Sequence, residues 1–168
     1  MAAFLDTPRL ALRAVEPGDV DAFYELDRDP SVMRYIADGK VGTRDTSANA
    51  VARALRYYGL YPGLGKWCAI ERASGRFAGW FSLNYVPKTI EVEVGYRLLP
   101  SAWGRGLATE GATALVRHGF DTVGLYRIIG LTHPDNIASQ RVLQKAGLRP
   151  AGTGRYYERE LRVFAASG

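Results

Sequence analysis

The chain has 168 residues, 47% hydrophobic and 23% charged, and its 22 Lys and Arg residues outnumber 17 Asp and Glu residues to give a formal charge of +5. This length and composition predict a single globular domain over residues 1–168 and exclude disordered and collagen-like chains. The basic residues, 18 of them arginines, are scattered among carboxylates from Arg9 to Arg162, which argues against a nucleic-acid partner. A small anionic ligand explains the excess positive charge equally well.

Apolar periodicity and turn residues predict the secondary structure. In chain order the expected elements are a strand at 10–14, helices at 17–27 and 45–61, strands at 67–71, 77–85 and 90–99, a helix at 104–120, a strand at 127–132, a helix at 136–146 and two short strands within 150–165. The first strands read as an antiparallel meander, whereas the later alternation of helix and strand indicates a parallel pair. The expected fold class is therefore mixed α+β with a central sheet.

The strand at 90–99 has acidic residues on one face. Glu91, Glu93, Gly95 and Arg97 alternate with apolar residues that begin at Ile90. Glu91 and Glu93 would lie roughly 7 Å apart, and two nearby carboxylates can raise a pKa into the range of a general base. The alternative is a half-buried strand with a solvated polar face.

A glycine turn follows this strand and leads into a helix. Gly104 and Gly106 leave backbone N–H groups unobstructed, and the unpaired amides of a helix N-terminus favour an anionic phosphate. Arg105 can add positive charge at the rim of such a site. The alternative is a tight strand-to-helix connection, and the turn matches neither a P-loop nor a complete dinucleotide fingerprint.

The helix at 136–146 begins with residues that can serve structure or function. Asn136 is a good N-cap, and Gly147 suits the left-handed position after the helix. Asn136 and Ser139, three residues apart, can also point from the helix end into a cleft. There the amide could bond a ligand, and the hydroxyl could donate a proton to a leaving group.

The number of cysteines and histidines limits which metal sites and disulfides are possible, and it indicates the cellular compartment. Cys68 is the single cysteine, which excludes an internal disulfide and fits a reducing compartment. With only His118 and His133 besides, we expect no metal site. No apolar run approaches the roughly 18 residues of a membrane helix, so we expect a cytoplasmic protein without a membrane partner.

Three motifs together resemble the GNAT superfamily of N-acetyltransferases, and within it the ribosomal-protein N-terminal acetyltransferases RimJ and RimL. The motifs are Glu93-Val94-Gly95-Tyr96, then Trp103-Gly104-Arg105-Gly106-Leu107-Ala108-Thr109-Glu110, then Asn136-Ile137-Ala138-Ser139 with the later Lys145-Ala146-Gly147-Leu148. The resemblance implies a mostly antiparallel sheet with one splayed parallel strand pair, flanked by about four helices. It also implies that acetyl-CoA binds between those two strands.

The resemblance further implies a role for each site residue. Backbone at Leu98 and Leu99 would pair with pantetheine, and Asn136 would bond it as well. The pyrophosphate would lie on the amides of Gly104, Arg105, Gly106, Leu107, Ala108 and Thr109. An acceptor amine would attack the thioester directly, with Glu93 taking its proton and Ser139 protonating the departing thiolate.

Several alternatives stay open. A catalytically silent acyl-CoA-binding domain would keep the same fold without transferring the acetyl group. The acceptor amine could be a peptide N-terminus, an amino acid, a polyamine or an antibiotic. The family forms the walls of the acceptor site largely from the first two helices and the C-terminal strands, and the sequence patterns are least specific in those segments. Association into a homodimer is compatible with the sequence.

Overall fold

One eight-stranded sheet runs through the computed structural model, which describes residues 2–168. The strands are β1 (Leu5–Asp6), β2 (Leu10–Ala14), β3 (Gly65–Glu71), β4 (Phe77–Tyr85), β5 (Val92–Leu98), β6 (Arg127–Thr132), β7 (Arg149–Tyr156) and β8 (Arg159–Ser167). Their order across the sheet is β1-β2-β3-β4-β5-β6-β8-β7. Only β5 and β6 run parallel among the strand pairs within residues 2–168.

Helices cover both faces of this sheet. They are α1 (Val20–Asp27), α2 (Pro30–Met33), α3 (Arg44–Leu60), α4 (Leu107–His118) and α5 (Ile137–Lys145). Residues of α1, α2 and α3 form one buried cluster with Cys68 and Trp80. Residues of α4 and α5 belong to a second and larger cluster, which includes Phe81 from the opposite face of β4.

Strands β5 and β6 part soon after they meet. Their parallel register contains one matched pair, Glu93 and Ile129. Strand β5 nevertheless continues to Leu98, and it stays paired along its other edge with β4. The later part of β5 therefore faces an opening between the two strands rather than a neighbouring backbone.

The predicted fold class is confirmed. Every predicted helix and strand is present with boundaries shifted by a few residues, and two short elements, β1 and α2, were not predicted. The prediction that Ile90 begins the strand and its apolar face is wrong, because Ile90 precedes β5 and is 93% exposed. Within the part of the chain that the structure describes, no helix has both the length and the apolar character to cross a bilayer.

Candidate active site

A single cleft of about 1510 Å³ joins the opening between β5 and β6 to the face of the sheet that carries α2 and α3. Most of the residues predicted for the site line it. These are Glu93, Leu98, Gly104, Gly106, Leu107, Ala108, Thr109, Asn136 and Ser139. Residues far apart in the sequence thus share one cavity, as a site for a large ligand requires.

The Glu93 side chain places a carboxyl group in the cleft. It is half-buried on β5 and accepts a hydrogen bond of 2.7 Å from the hydroxyl of Tyr157. Burial raises the pKa of Glu93 to about 7, although the Tyr157 hydroxyl and the Lys66 ammonium act in the opposite direction. A carboxyl with this pKa can accept a proton near neutral pH.

The predicted cause of this raised pKa is wrong. Two neighbouring carboxylates were expected to raise it, but Glu91 lies before β5 and forms an ion pair of 2.6 Å with Arg127. The dominant cause is instead desolvation of Glu93 by the cleft walls.

Asn136 and Ser139 lie at the N-terminus of α5, on the β6 side of the cleft. The Asn136 side chain caps the helix by accepting a hydrogen bond of 3.2 Å from the Ser139 amide, which confirms the predicted cap. The Ser139 hydroxyl lies 2.7 Å from the Tyr96 hydroxyl on β5. Burial raises the pKa of Tyr96 to about 12, so the Tyr96 hydroxyl stays protonated at neutral pH.

The turn before α4 presents free backbone amides to the cleft. Gly104 and Gly106 adopt φ angles of +70° and +77°, and a Cβ at Gly104 would meet nothing within 4 Å. The first bond that enters the helix runs from the Glu110 amide to the Gly106 carbonyl, and no side chain caps this end. Among residues 2–168 the amides of residues 107–109 therefore have no hydrogen-bond acceptor, which suits them to bind phosphate oxygens.

The connection between β1 and β2 holds this turn in place through two residues, Thr7 and Arg9. Glu110 accepts hydrogen bonds from the Thr7 hydroxyl (2.6 Å) and from the amide and Nε of Arg9 (2.8 and 2.7 Å). The Arg9 guanidinium also donates to the Arg105 carbonyl (2.6 Å). Such a network fixes the amide donors before a ligand arrives.

Two predicted site residues lie differently from expectation. The Arg105 side chain leaves the rim of the cleft and pairs with Glu71 on β3. Leu99 is absent from the cleft wall, and its amide donates to the Ala78 carbonyl on β4 (2.8 Å). Because backbone groups alternate in direction along a strand, those of Leu98 point toward the opening, where its carbonyl accepts from the Trp103 indole (2.9 Å).

Two polar residues of the cleft, Tyr157 and Asn84, carried no signal in the sequence patterns. Tyr157 reaches Glu93 from the turn between β7 and β8, 64 positions away. Asn84 is the cross-strand neighbour of Glu93 on β4, and its Oδ1 is buried without a partner among residues 2–168. No group of three or more His, Cys, Asp or Glu side chains in the same residues could hold a metal ion.

Comparisons with known proteins agree with this geometry. The model of the family described as acetyltransferase (GNAT) domain matches residues 9–149. The FsC-acetyl coenzyme A-N(2)-transacetylase of Aspergillus fumigatus is 35% identical over 152 residues, which is 86% of this chain and 64% of that protein. The chain therefore spans 64% of the length of that fungal relative.

Solved structures show the same fold. A GNAT-family acetyltransferase from Bacillus anthracis superposes with a TM-score of 0.82 at 25% identity, over 97% of each chain. Mycobacterium smegmatis RimJ, solved with a CoA disulfide, has a TM-score of 0.76 at 23% identity, over 95% of this chain and 82% of its own.

Proposed function

The chain belongs to the GNAT family of acetyltransferases, and from this premise we propose that it transfers the acetyl group of acetyl-CoA to a primary amine, by direct attack and within one domain over residues 1–168. The observation that carries the proposal is a half-buried carboxyl, Glu93, in the same cleft as the unpaired amides of residues 107–109. One group suits proton removal, and the other suits a pyrophosphate.

The proposed donor site uses backbone more than charge. The amides of Gly104 through Thr109 bind the pyrophosphate at the positive end of α4. The main-chain groups of Leu98 pair with the pantetheine in the opening between β5 and β6, and the Asn136 side chain adds a hydrogen bond. In support, the fungal relative is named for acetyl coenzyme A, and the RimJ structure holds a CoA disulfide.

In the proposed chemistry one residue removes a proton from the acceptor amine, and another residue donates a proton to the leaving sulfur. Glu93 takes a proton from the acceptor ammonium, directly or through water, and the Asn84 carbonyl oxygen accepts a hydrogen bond from the same nitrogen. The nitrogen then forms the C–N bond, and a main-chain amide of β5 stabilises the developing oxyanion. As the C–S bond breaks, Ser139 gives its proton to the sulfur and takes one from Tyr96, which lies in hydrogen-bond contact. The second proton of the nitrogen passes to water, and Tyr96 regains a proton from water.

A thiol-release assay with acetyl-CoA and a panel of primary amines tests the proposal. The panel includes peptide N-termini, amino acids, polyamines and aminoglycosides, and acetyl-CoA binding is measured separately by calorimetry. We expect donor binding together with amine-dependent thiol release. Donor binding without release for any amine would favour the silent acyl-CoA-binding domain, and absence of donor binding would refute both.

A further inference from the structure

A band of positive charge lies beside Glu93 on the same face of the sheet. On β5 this face carries Glu93, Gly95 and Arg97, and the register pairs Gly95 with Ser82 on β4 and Ser82 with Lys66 on β3. All five residues line the cleft. The row formed by Lys66, Ser82 and Gly95 therefore lies directly next to the proposed base.

Two cations of this band, Lys66 and Arg97, lie over the Trp80 ring. The Lys66 Nζ lies 3.8 Å from the centroid of the Trp80 ring, and the Arg97 guanidinium carbon lies 5.1 Å from it. Arg53 of α3 also lines the cleft and adds a third positive charge to the surroundings of Lys66. An indole between two cations supplies an apolar floor and part of their stabilisation.

The positive charges exceed the negative charges that face them. Asp27 neutralises Arg97 through an ion pair of 2.6 Å, and its other oxygen accepts from the Ser47 hydroxyl at 2.7 Å. Neither Lys66 nor Arg53 has a carboxylate within 4.0 Å among residues 2–168. Burial, together with the nearby Arg97 and Arg53, lowers the pKa of Lys66 to about 7. An anion bound here would relieve this repulsion.

Gly95 leaves room for a ligand between this charge and the base. A Cβ at position 95 would stand 3.0 Å from the Ser82 hydroxyl, so any side chain there would crowd the floor of the cleft. Two residues of strand separate Glu93 from Gly95 by roughly 6.6 Å, a distance that a small molecule can bridge.

We propose that Lys66, with Ser82, Arg53 and Arg97, forms an anion subsite, and that the acceptors of this enzyme are amines bearing a carboxylate or phosphate group. The anion binds over Gly95 and Trp80, which turns the amine of the same molecule toward Glu93. This inference rests on the proposed function and narrows its substrate class. Charge-assisted hydrogen bonds from Lys66 and Ser82 supply the selectivity.

The first test compares acceptors that share an amine and differ in charge. β-Alanine is matched with its amide, and phosphoethanolamine with ethanolamine, in thiol-release assays with saturating acetyl-CoA. We expect kcat/KM to favour the anionic member of at least one pair by about tenfold or more, the scale of one hydrogen bond between charged groups. The pair with the larger ratio identifies carboxylate or phosphate as the preferred anion.

Substitutions at Lys66 test whether the preference for anionic acceptors comes from the proposed subsite. Lys66→Met keeps the length of the side chain and should abolish the preference, whereas Lys66→Arg should keep it. Lys88→Met, which removes an exposed lysine outside the cleft, is the matched control and should change nothing. Equal rates for both members of each pair, or an unchanged preference in Lys66→Met, would overturn the subsite.

A binding measurement separates this inference from the proposed function. Calorimetry with N-acetyl-β-alanine and N-acetyl-phosphoethanolamine, which are reaction products, reports the subsite without any turnover. We expect at least one to bind the wild-type protein about tenfold more tightly than Lys66→Met. Tighter binding without acetyl transfer would support the subsite while refuting the proposed function, and equal binding of both products to the two proteins would refute the subsite.

Discussion

Replacing Tyr157 with phenylalanine should shift the pH dependence of the enzyme. The Tyr157 hydroxyl donates a hydrogen bond of 2.7 Å to Glu93, and this bond lowers the pKa of the carboxyl from the higher value that burial alone would give. A hydrogen bond to a charged group contributes about 1.5 kcal/mol or more, but Tyr157 is 49% exposed, so water partly replaces it in Tyr157→Phe. We expect the pKa of Glu93 to rise from about 7 by about half a unit to one unit.

The sign of the effect follows from the form of Glu93 that reacts. The ionised carboxylate accepts the proton, so the rate rises with pH through the pKa of Glu93. In Tyr157→Phe the rising limb should move to higher pH, with slower turnover below neutrality and wild-type turnover well above it. The assay is kcat/KM against pH with one fixed amine, whose own ionisation is common to both proteins.

The control is Tyr126→Phe, which removes the hydroxyl of a tyrosine that is 82% exposed and does not line the cleft. Its pH profile should match that of the wild type. A limb that stays in place in Tyr157→Phe, or that moves to lower pH, would refute the role given to this hydrogen bond.

Two further predictions concern the leaving group and the core. Ser139→Ala should lower kcat by about a hundredfold, the scale of lost general-acid catalysis, while calorimetry shows unchanged acetyl-CoA affinity; an unchanged kcat would remove Ser139 as the acid. Gly111→Ala should lower the free energy of unfolding by about 1–3 kcal/mol in urea titration, because the new Cβ would stand 2.2 Å from the buried Phe81 ring. Gly59→Ala, in α3 with nothing within 4 Å of the new Cβ, should stabilise by about 0.5–1 kcal/mol, and equal effects at the two glycines would contradict this reasoning.

Local patterns in the sequence predicted the parts of the fold that depend on local interactions. The observed strands at Leu10–Ala14, Phe77–Tyr85 and Arg127–Thr132 have the predicted ends, because each strand stops two or three residues before a proline. The Asn136 cap was equally predictable, since its bond to Ser139 spans three residues. β1 and α2 are too short, at two and four residues, to show a period.

Contacts between segments that are distant in the chain could not be predicted from the sequence patterns. Glu93 was singled out, but the cause of its raised pKa depends on the walls that enclose it and on Tyr157, which only the tertiary fold brings near. Arg105 was expected at the rim because of its place in the turn, and it pairs with Glu71 instead because β3 ends beside that turn. Lys66 carried no signal, since its importance comes from neighbours on β4 and β5.

The most direct test of the proposed function is the rate of thiol release by Glu93→Gln with acetyl-CoA and the best amine of the panel. Glutamine keeps the shape of the side chain and can still accept the Tyr157 hydrogen bond, but it cannot take a proton from the acceptor. We predict that kcat falls by about 10²- to 10⁴-fold and that the rising limb near pH 7 disappears, while acetyl-CoA binds as in the wild type. A variant that keeps both the wild-type rate and the wild-type pH profile would contradict the assignment of Glu93 as the base.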